Sequence, residues 1–417
     1  MSDPSQPRRP ADRAAAPANA ESPWVLLRSG TNHPFIFKRM IRTVDPAAKP
    51  GAIVNIYDKF GHLLGRGLYN PASNIALRVL SHGKAVIDNT FWQDSIDRAV
   101  SLRESLGLTN STDAYRLVHA EGDGLSGLIV ERYGPALVVE LFSLGMYKRV
   151  YDLVDLIKQR LGSPTSLERP DDSYDDWRVI VRADEKIQRL EGFKLPAANA
   201  NDDQSVIIRE HGLRYRVDMT GGHKTGFFCD QRDNRLRLAQ LCKGARVLDL
   251  CCYTGGFGMC AKALGEAAEV TSVDLDESAL ALATKNANLN NLRIKHAHAD
   301  AFIYLRQMLD AGKQFDVVVC DPPKFALSRT GVDEASRKYN DLNTLACRVV
   351  RPGGILLTCS CSGLIYPNRF ADIIKAAAFR AERRLQFFDR SGAAPDHPVM
   401  ANCPESEYLK ALWCRVL

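Results

Sequence analysis

From Val206 onward, short apolar runs alternate with amphipathic stretches at a regular spacing. A hairpin, Val206–Glu210 and Leu213–Asp218 about His211-Gly212, leads into predicted strands at Ala245–Leu250, Glu269–Val273, Arg293–Ala297, Phe315–Cys320 and Gly354–Cys359. Between them the spacing predicts helices at Gly256–Leu264, Ser278–Leu289, Ala301–Met308, Ala335–Val350 and Arg369–Ala378, with last strands near Arg384–Asp389 and Tyr408–Val416. Such alternation predicts an α/β fold: a parallel sheet with helices on both faces. Sheets of this kind hold ligands beyond the carboxyl ends of their strands, so the residues there carry the functional reading.

The earlier part of the chain is patterned differently. Residues 1–22 are rich in Ala, Pro and Ser without apolar periodicity and read as a disordered leader. Residues 23–83 hold β-like runs at Ala52–Tyr57 and Ile75–Leu80, punctuated by Asp58-Lys59-Phe60-Gly61 and Tyr69-Asn70-Pro71, and read as a small β-rich module. Residues 84–204 read as an α+β unit, with helices at Phe91–Leu106 and Tyr147–Leu161 and strands at Gly127–Arg132 and Ala136–Phe142. The Asp- and Pro-rich stretch 161–177 reads as a loop and 195–204 as a linker, leaving 205–417 as the large α/β domain.

Length agrees with this division, since 417 residues exceed what one hydrophobic core usually serves. No stretch approaches the ~18 apolar residues of a membrane span, and the start carries charges and prolines instead of a secretory apolar run. A cytoplasmic protein is expected. All eleven cysteines fall between Cys229 and Cys414, inside the α/β domain, which favours reduced thiols over a disulfide framework. Net charge is +6, unevenly spread: residues 1–83 carry 11 Lys and Arg against 5 Asp and Glu, residues 84–204 carry 15 against 21, and residues 205–417 carry 29 against 23. Two basic blocks around an acidic one suit a polyanionic partner touching both ends of the chain.

The first strand of the α/β domain runs into Asp249-Leu250-Cys251-Cys252-Tyr253-Thr254-Gly255-Gly256-Phe257-Gly258. Gly255 and Gly256 allow a sharp turn and close backbone approach to a ligand, and the following helix offers free N–H groups. A dinucleotide site would need G-x-G-x-x-G for its pyrophosphate, which this turn does not supply. The second strand ends at Asp274, whose carboxylate can accept from both ribose hydroxyls, and the third is followed by Asp300, placed to take an adenine amino group. Alone, an Asp after a strand is more often a helix N-cap. Together with the glycine turn, an acidic rim suits S-adenosylmethionine, whose sulfonium is positive.

The fourth strand ends in Asp321-Pro322-Pro323-Lys324-Phe325, a rigid turn of the D-P-P kind that grips amino groups in nitrogen methylases. The fifth brings Cys359 and Cys361 to the same edge, on one face by strand alternation, with Cys361 nearer the open end. Carbon 5 of cytosine is too poor a nucleophile to take a methyl group unaided. A thiolate added at carbon 6 makes it one, with an acid near ring nitrogen 3. A Cys of this strand and Asp321 fit those needs, and Lys324 can hold a phosphate or lower the thiol pKa. For Cys229, Cys242, Cys251, Cys252, Cys260, Cys347, Cys403 and Cys414 the expectation is a small buried hydrophobe. No C-x₂-C pair or His at ligand spacing points to a metal.

These segments together resemble the bacterial 23S ribosomal RNA large-subunit methyltransferase I family. The resemblance covers nearly all of the chain after residue 22. It is carried by Asn70-Pro71, the stretch Glu121–Val130, Lys224–Arg235, Tyr253–Phe257, Asp321–Phe325, Ser360-Cys361-Ser362 and Asp396-His397-Pro398. It implies an N-terminal PUA-type RNA-binding domain, a central β-rich domain, a class I S-adenosylmethionine-dependent catalytic domain, and formation of 5-methylcytosine in 23S ribosomal RNA with Cys361 as nucleophile. The assembly expected alongside is a homodimer. The chain departs from the family in carrying Cys359, so that Thr358-Cys359-Ser360 also spells the Thr-Cys-Ser of related RNA cytosine methylases, and Cys251 where an aromatic is usual. Two other readings are methylation of an exocyclic base nitrogen, which needs no thiol, and an RNA-binding assembly factor without turnover.

Overall fold

The structure is a computed structural model that describes residues 17, 20–168, 176–196, 205–219 and 226–417. Most of the leader, the middle of the acidic loop, nearly all of the linker and the Lys224-Thr225 start of one quoted segment lie outside the described residues.

The large sheet has seven strands in the order Lys295–His298, Glu269–Asp274, Arg246–Leu250, Phe315–Cys320, Val350–Ser360, Lys410–Val416, Leu385–Ser391. The first five are parallel, and Lys410–Val416 runs antiparallel to both its neighbours. The strand order reverses beside Arg246–Leu250, which opens a crevice at the carboxyl ends of the central strands. Apolar residues fill both faces of these strands: Leu248, Val318 and Leu356 pack under one helical layer, Val247, Val319 and Leu357 under the other. The Ala335–Val350 and Arg369–Ala378 helices extend to Val332–Val349 and Pro367–Arg380, and the fifth strand starts four residues earlier than its apolar run, at Val350.

Residues 24–82 form a six-stranded sheet and residues 114–182 a four-stranded one. In the second sheet Arg178–Arg182 pairs in parallel with Ala136–Leu141, a strand that its half-polar sequence RVIVR does not announce. The hairpin Ser205–Glu210 and Leu213–Asp218 stands apart as a two-stranded sheet.

The three units are joined by polar contacts that the sequence, read as separate modules, does not reveal. Asn70 donates its amide N–H to the Glu191 carboxylate at 2.8 Å, Leu68 packs in the core of the middle unit, and His33 meets Glu405 at 3.0 Å. The middle unit meets the α/β domain through a buried cluster around Asp396. Its carboxylate accepts from Arg232 at 2.7 Å and from the Arg116 backbone N–H at 2.8 Å, while Arg103 donates to its carbonyl at 2.7 Å and grips Asp123 with both nitrogens. Burial alone would raise the Asp396 carboxyl, but His397 and Arg232 outweigh it and hold the group well below the usual range. The segments Glu121–Val130 and Asp396-His397-Pro398 are therefore two sides of one joint: a Cβ on Gly122 would lie 2.1 Å from the Pro398 carbonyl oxygen.

Candidate active site

The turn after the first central strand is built on alternating left-handed residues: Cys251 at φ 59°, Tyr253 at 49° and Gly255 at 83°. Only the glycine takes this conformation without cost, so the two others must be held by contacts. Tyr253 is held three ways. Its N–H donates to Asp274 Oδ2 at 2.7 Å, its hydroxyl donates to the Gly226 carbonyl at 3.2 Å, and its ring meets Phe228 edge-on at 4.8 Å. Asp274 closes its own turn by accepting from the Asp276 N–H at 2.9 Å through the other oxygen.

Nine of the eleven predicted site residues line one cavity of about 820 Å³: Tyr253, Thr254, Gly256 and Phe257 from the glycine turn, Asp274 and Asp300 from the next two strand ends, and Asp321, Lys324 and Cys361 from the fourth and fifth. Its size lies within the ~300–1,000 Å³ of small-molecule sites. Asp249 and Gly255 sit behind its wall. Asp249 is fully buried, accepts from the Gly258 N–H at 3.0 Å through Oδ2, and leaves Oδ1 without a protein partner. Burial, opposed by the Gly258 bond, pushes its carboxyl up to about 7. Asp300 combines both readings open to it: Oδ1 caps the helix Ala301–Asp310 by accepting from Phe302 and Ile303 N–H, and the residue lines the cavity.

The residues present fit S-adenosylmethionine. The rim carries Asp274, Asp276, Asp300 and Asp321, matching a ligand with a sulfonium and an ammonium, and the helix Gly256–Ala263 points its N-terminus at the same space. Packing behind the turn leaves no slack. A Cβ on Gly258 would stand 2.5 Å from Ser272 Oγ and 3.3 Å from Asp249 Oδ2. Gly258→Ala is therefore expected to push the turn outward and weaken cofactor binding about fivefold or more, at roughly 1–3 kcal/mol for overpacking. Calorimetric titration of the folded variant checks this, with wild-type affinity as the contrary result.

The two thiols of the fifth strand share a face, as alternation requires, since both belong to the same apolar cluster. Their depths differ. Cys359 is fully buried, and burial followed by the nearby Asp321 charge pushes its thiol well up. Cys361, half-buried, faces the cavity. Cys251, expected to be buried, instead lines the cavity too, although desolvation and the charges of four carboxylates push its thiol well up.

Three residues that chemical reading missed hold the reacting groups. Gln231 donates from Nε2 to Asp321 Oδ2 at 2.9 Å, and its Oε1 accepts from Asn234 at 2.7 Å, which fixes the amide's orientation. Tyr339, wholly buried, receives the Ser360 hydroxyl at 3.0 Å and lies 3.1 Å from that of Ser362, clamping the residues on either side of Cys361. Lys410 donates to the Ser362 carbonyl at 2.7 Å. The available signal was a lysine inside the apolar run Tyr408–Val416. Among the described residues one trio of metal-ligand type escaped sequence spacing because its members are far apart: His33, Cys403 and Glu405 bring ligand atoms within 4.8 Å of one another, and the His33–Glu405 hydrogen bond accounts for that proximity.

A glycine turn at the switch point of a seven-stranded sheet, acidic strand ends and a shared cavity define a class I methyltransferase that uses S-adenosylmethionine. Residues 198–415 match the S-adenosylmethionine-dependent methyltransferase family and residues 28–82 match the PUA-like domain. The chain belongs to the ribosomal RNA large subunit methyltransferase I family. The family's member in Shewanella frigidimarina is 40% identical over 399 residues, covering 92% of this chain and 95% of its own. That of Photobacterium profundum is 39% identical over 393 residues, covering 92% and 95%. Among solved structures, one described as a SAM-dependent methyltransferase from Streptococcus mutans superposes with a TM-score of 0.76 at 20% identity, covering 94% of this chain and 100% of the other. SMU.776, solved with SAH, gives 0.75 at 21%, covering 92% and 96%. At these identities the structures speak for the fold.

Among the described residues no helix is long and apolar enough to cross a membrane.

Proposed function

We propose that this protein methylates carbon 5 of a cytosine in 23S ribosomal RNA, in the cytoplasm, with residues 23–83 as its PUA-type RNA-binding domain, 84–204 as a central domain and 205–417 as the catalytic domain. One observation carries the choice of carbon over nitrogen: of the two thiols at the end of the fifth strand, the one just past it opens on the cofactor cavity that Asp321 also lines, on a loop clamped from both sides. Nitrogen methylation would use the D-P-P turn alone and leave Cys361 without a task.

In this reading Asp274 accepts the ribose hydroxyls, Asp300 the adenine amino group, and the Gly256 turn supports the methionine part. The bound cofactor supplies an electrophilic methyl group. Cys361 Sγ, as thiolate, adds to carbon 6 of the cytosine while Asp321, held by Gln231, donates a proton toward ring nitrogen 3. The resulting enamine attacks the methyl group through carbon 5, and the carbon–carbon bond forms as the methyl–sulfur bond breaks, its electron pair staying on sulfur. A base then takes the carbon-5 proton, the electron pair re-forms the 5,6 double bond, the thiolate departs from carbon 6, and the nitrogen-3 proton returns to Asp321, restoring both groups. Lys324, exposed on the wall, meets a phosphate of the flipped nucleotide.

The test is mass mapping of methylated cytosines in ribosomal RNA from cells with and without the gene. Loss of one 5-methylcytosine from the large-subunit RNA is expected. An unchanged cytosine map with a missing N-methyl group would replace this reading by the nitrogen one.

The basic N-terminal block gives a separate expectation. Deleting it would strip Leu68 and Asn70 from the middle unit, so charge removal is the cleaner probe. Arg28, Arg39 and Arg42 are exposed there. Replacing all three by Gln should leave cofactor affinity unchanged, weaken RNA binding at low salt, and flatten the slope of log affinity against log salt by roughly 2–3. An unaltered salt slope would remove this face from the RNA contact.

A further inference from the structure

The proposed chemistry needs the Cys361 thiol to ionise in a cavity that Asp274, Asp276 and Asp300 also line, and neighbouring carboxylates oppose a thiolate. Lys324 is exposed to solvent, where its charge is screened. A second cation lies behind the thiol. Lys410 opens the antiparallel strand Lys410–Val416 directly opposite Ser360, the residue before Cys361. It is only 5% exposed, and its ammonium donates to the Ser362 and Tyr408 carbonyls at 2.7 Å each. Among the described residues it makes no ion pair. A buried ammonium without a carboxylate is costly, and one of the two carbonyls that hold this one belongs to Ser362, the residue after the thiol.

We propose that Lys410 is a positioning residue for the nucleophile: anchored on the Ser362 and Tyr408 carbonyls, its buried ammonium fixes the Cys361 loop and stabilises the Cys361 thiolate. The proposal rests on the reading of Cys361 as the nucleophile. Among the described residues, the titratable groups that interact with the thiol or share its end of the cavity include Asp321 and Lys324 from the D-P-P turn, Tyr339 from the helix Val332–Val349, Cys359 two residues earlier and Lys410 from the next strand. Around Lys410 they are Cys361, Glu407 and Lys324. Burial pulls the ammonium down to about 8, with the Cys361 and Glu407 charges pushing the other way and Lys324 adding to the fall. The ammonium therefore persists at neutral pH, where it favours the thiolate, and that support fades as pH rises through about 8.

A purely structural lysine would tie the strand end without changing the thiol's acidity. The two roles separate in the full-length protein by measuring iodoacetamide alkylation of Cys361 across a pH series, read peptide by peptide in a mass spectrometer. Lys410→Met keeps the length of the side chain and loses the charge. Its Cys361 midpoint should rise by about one pH unit or more, so that alkylation at neutral pH slows about tenfold. Lys410→Arg should restore most of the wild-type profile. Lys410→Gln retains donors for the carbonyls without charge and should behave like Lys410→Met, which keeps the test available if the Met variant does not fold. Unchanged adenosylmethionine affinity serves as the check on folding. A wild-type alkylation profile in a folded, uncharged variant overturns the proposal. Methyl transfer by Cys361→Ala decides the nucleophile reading separately, because the alkylation profile reports the thiol whatever reaction it serves.

Discussion

Cys361→Ala is expected to reduce methyl transfer by roughly 10³-fold or more, because covalent addition at carbon 6 has no substitute and loss of a nucleophile removes the whole route. Affinity for adenosylmethionine and for RNA should stay within about twofold, since no described residue that grips the cofactor turn depends on this side chain. Cys359→Ala should keep most of its activity. It removes one buried sulfur from a packed cluster, a loss of roughly 1 kcal/mol in stability, and does not touch the cavity. Single-turnover transfer to ribosomal RNA measures both. Full activity in Cys361→Ala, in Cys359→Ala and in the double variant would sink carbon-5 chemistry and leave nitrogen methylation.

Asp274→Ala is the second large effect. The carboxylate would accept the ribose hydroxyls with the lone pairs not used by Tyr253 and Asp276, and hydrogen bonds to a charged group are worth about 1.5–3 kcal/mol in total, or roughly 10- to 150-fold in affinity. The same substitution frees the N–H that holds Tyr253 at φ 49°, so the turn itself loses a restraint. RNA affinity should barely change. Cofactor affinity equal to wild type in a folded variant would remove Asp274 from the ribose site.

The catalytic sheet was legible because its central strands are apolar runs bounded by polar turns, and the chemical residues stand at or just beyond strand ends. Asp274, Asp300, Asp321 and Cys361 needed only the rule that strand ends meet the ligand. The N-terminal sheet was harder. Leu63–Tyr69 carries Gly65 and Gly67, which read as turn residues, yet their lack of a side chain serves close strand pairing: a Cβ would stand 2.0 Å from the Ser81 carbonyl oxygen at one and 2.3 Å from that of Arg78 at the other. Tyr69, taken as part of a turn, is the strand's last residue. Phe35–Phe37 and Ile41–Val44, three and four residues long, are too short to show a period.

At the joint between the units and in the site alike, what escaped is what burial changes. Arg116, Arg232, Asp396 and Lys410 look like surface charges in a sequence, but each is at least nine-tenths buried and held by partners more than a dozen residues away, which no local pattern encodes. The difference between Cys359 and Cys361 is likewise one of depth. Alternation placed them on one face and could not say that the cavity ends between them.

The central claim, a covalent cysteine–cytosine intermediate on Cys361, is tested most directly with 23S ribosomal RNA transcribed with 5-fluorocytidine in place of cytidine. Fluorine at carbon 5 cannot be removed as a proton, so elimination stalls after methyl transfer. The wild-type enzyme with adenosylmethionine should form an RNA adduct that survives denaturation, and digestion should place the nucleotide on the peptide containing Cys361, with no adduct in Cys361→Ala. Methylation of the unmodified transcript without any adduct on the fluorinated one, or an adduct carried by Cys359, would contradict the account.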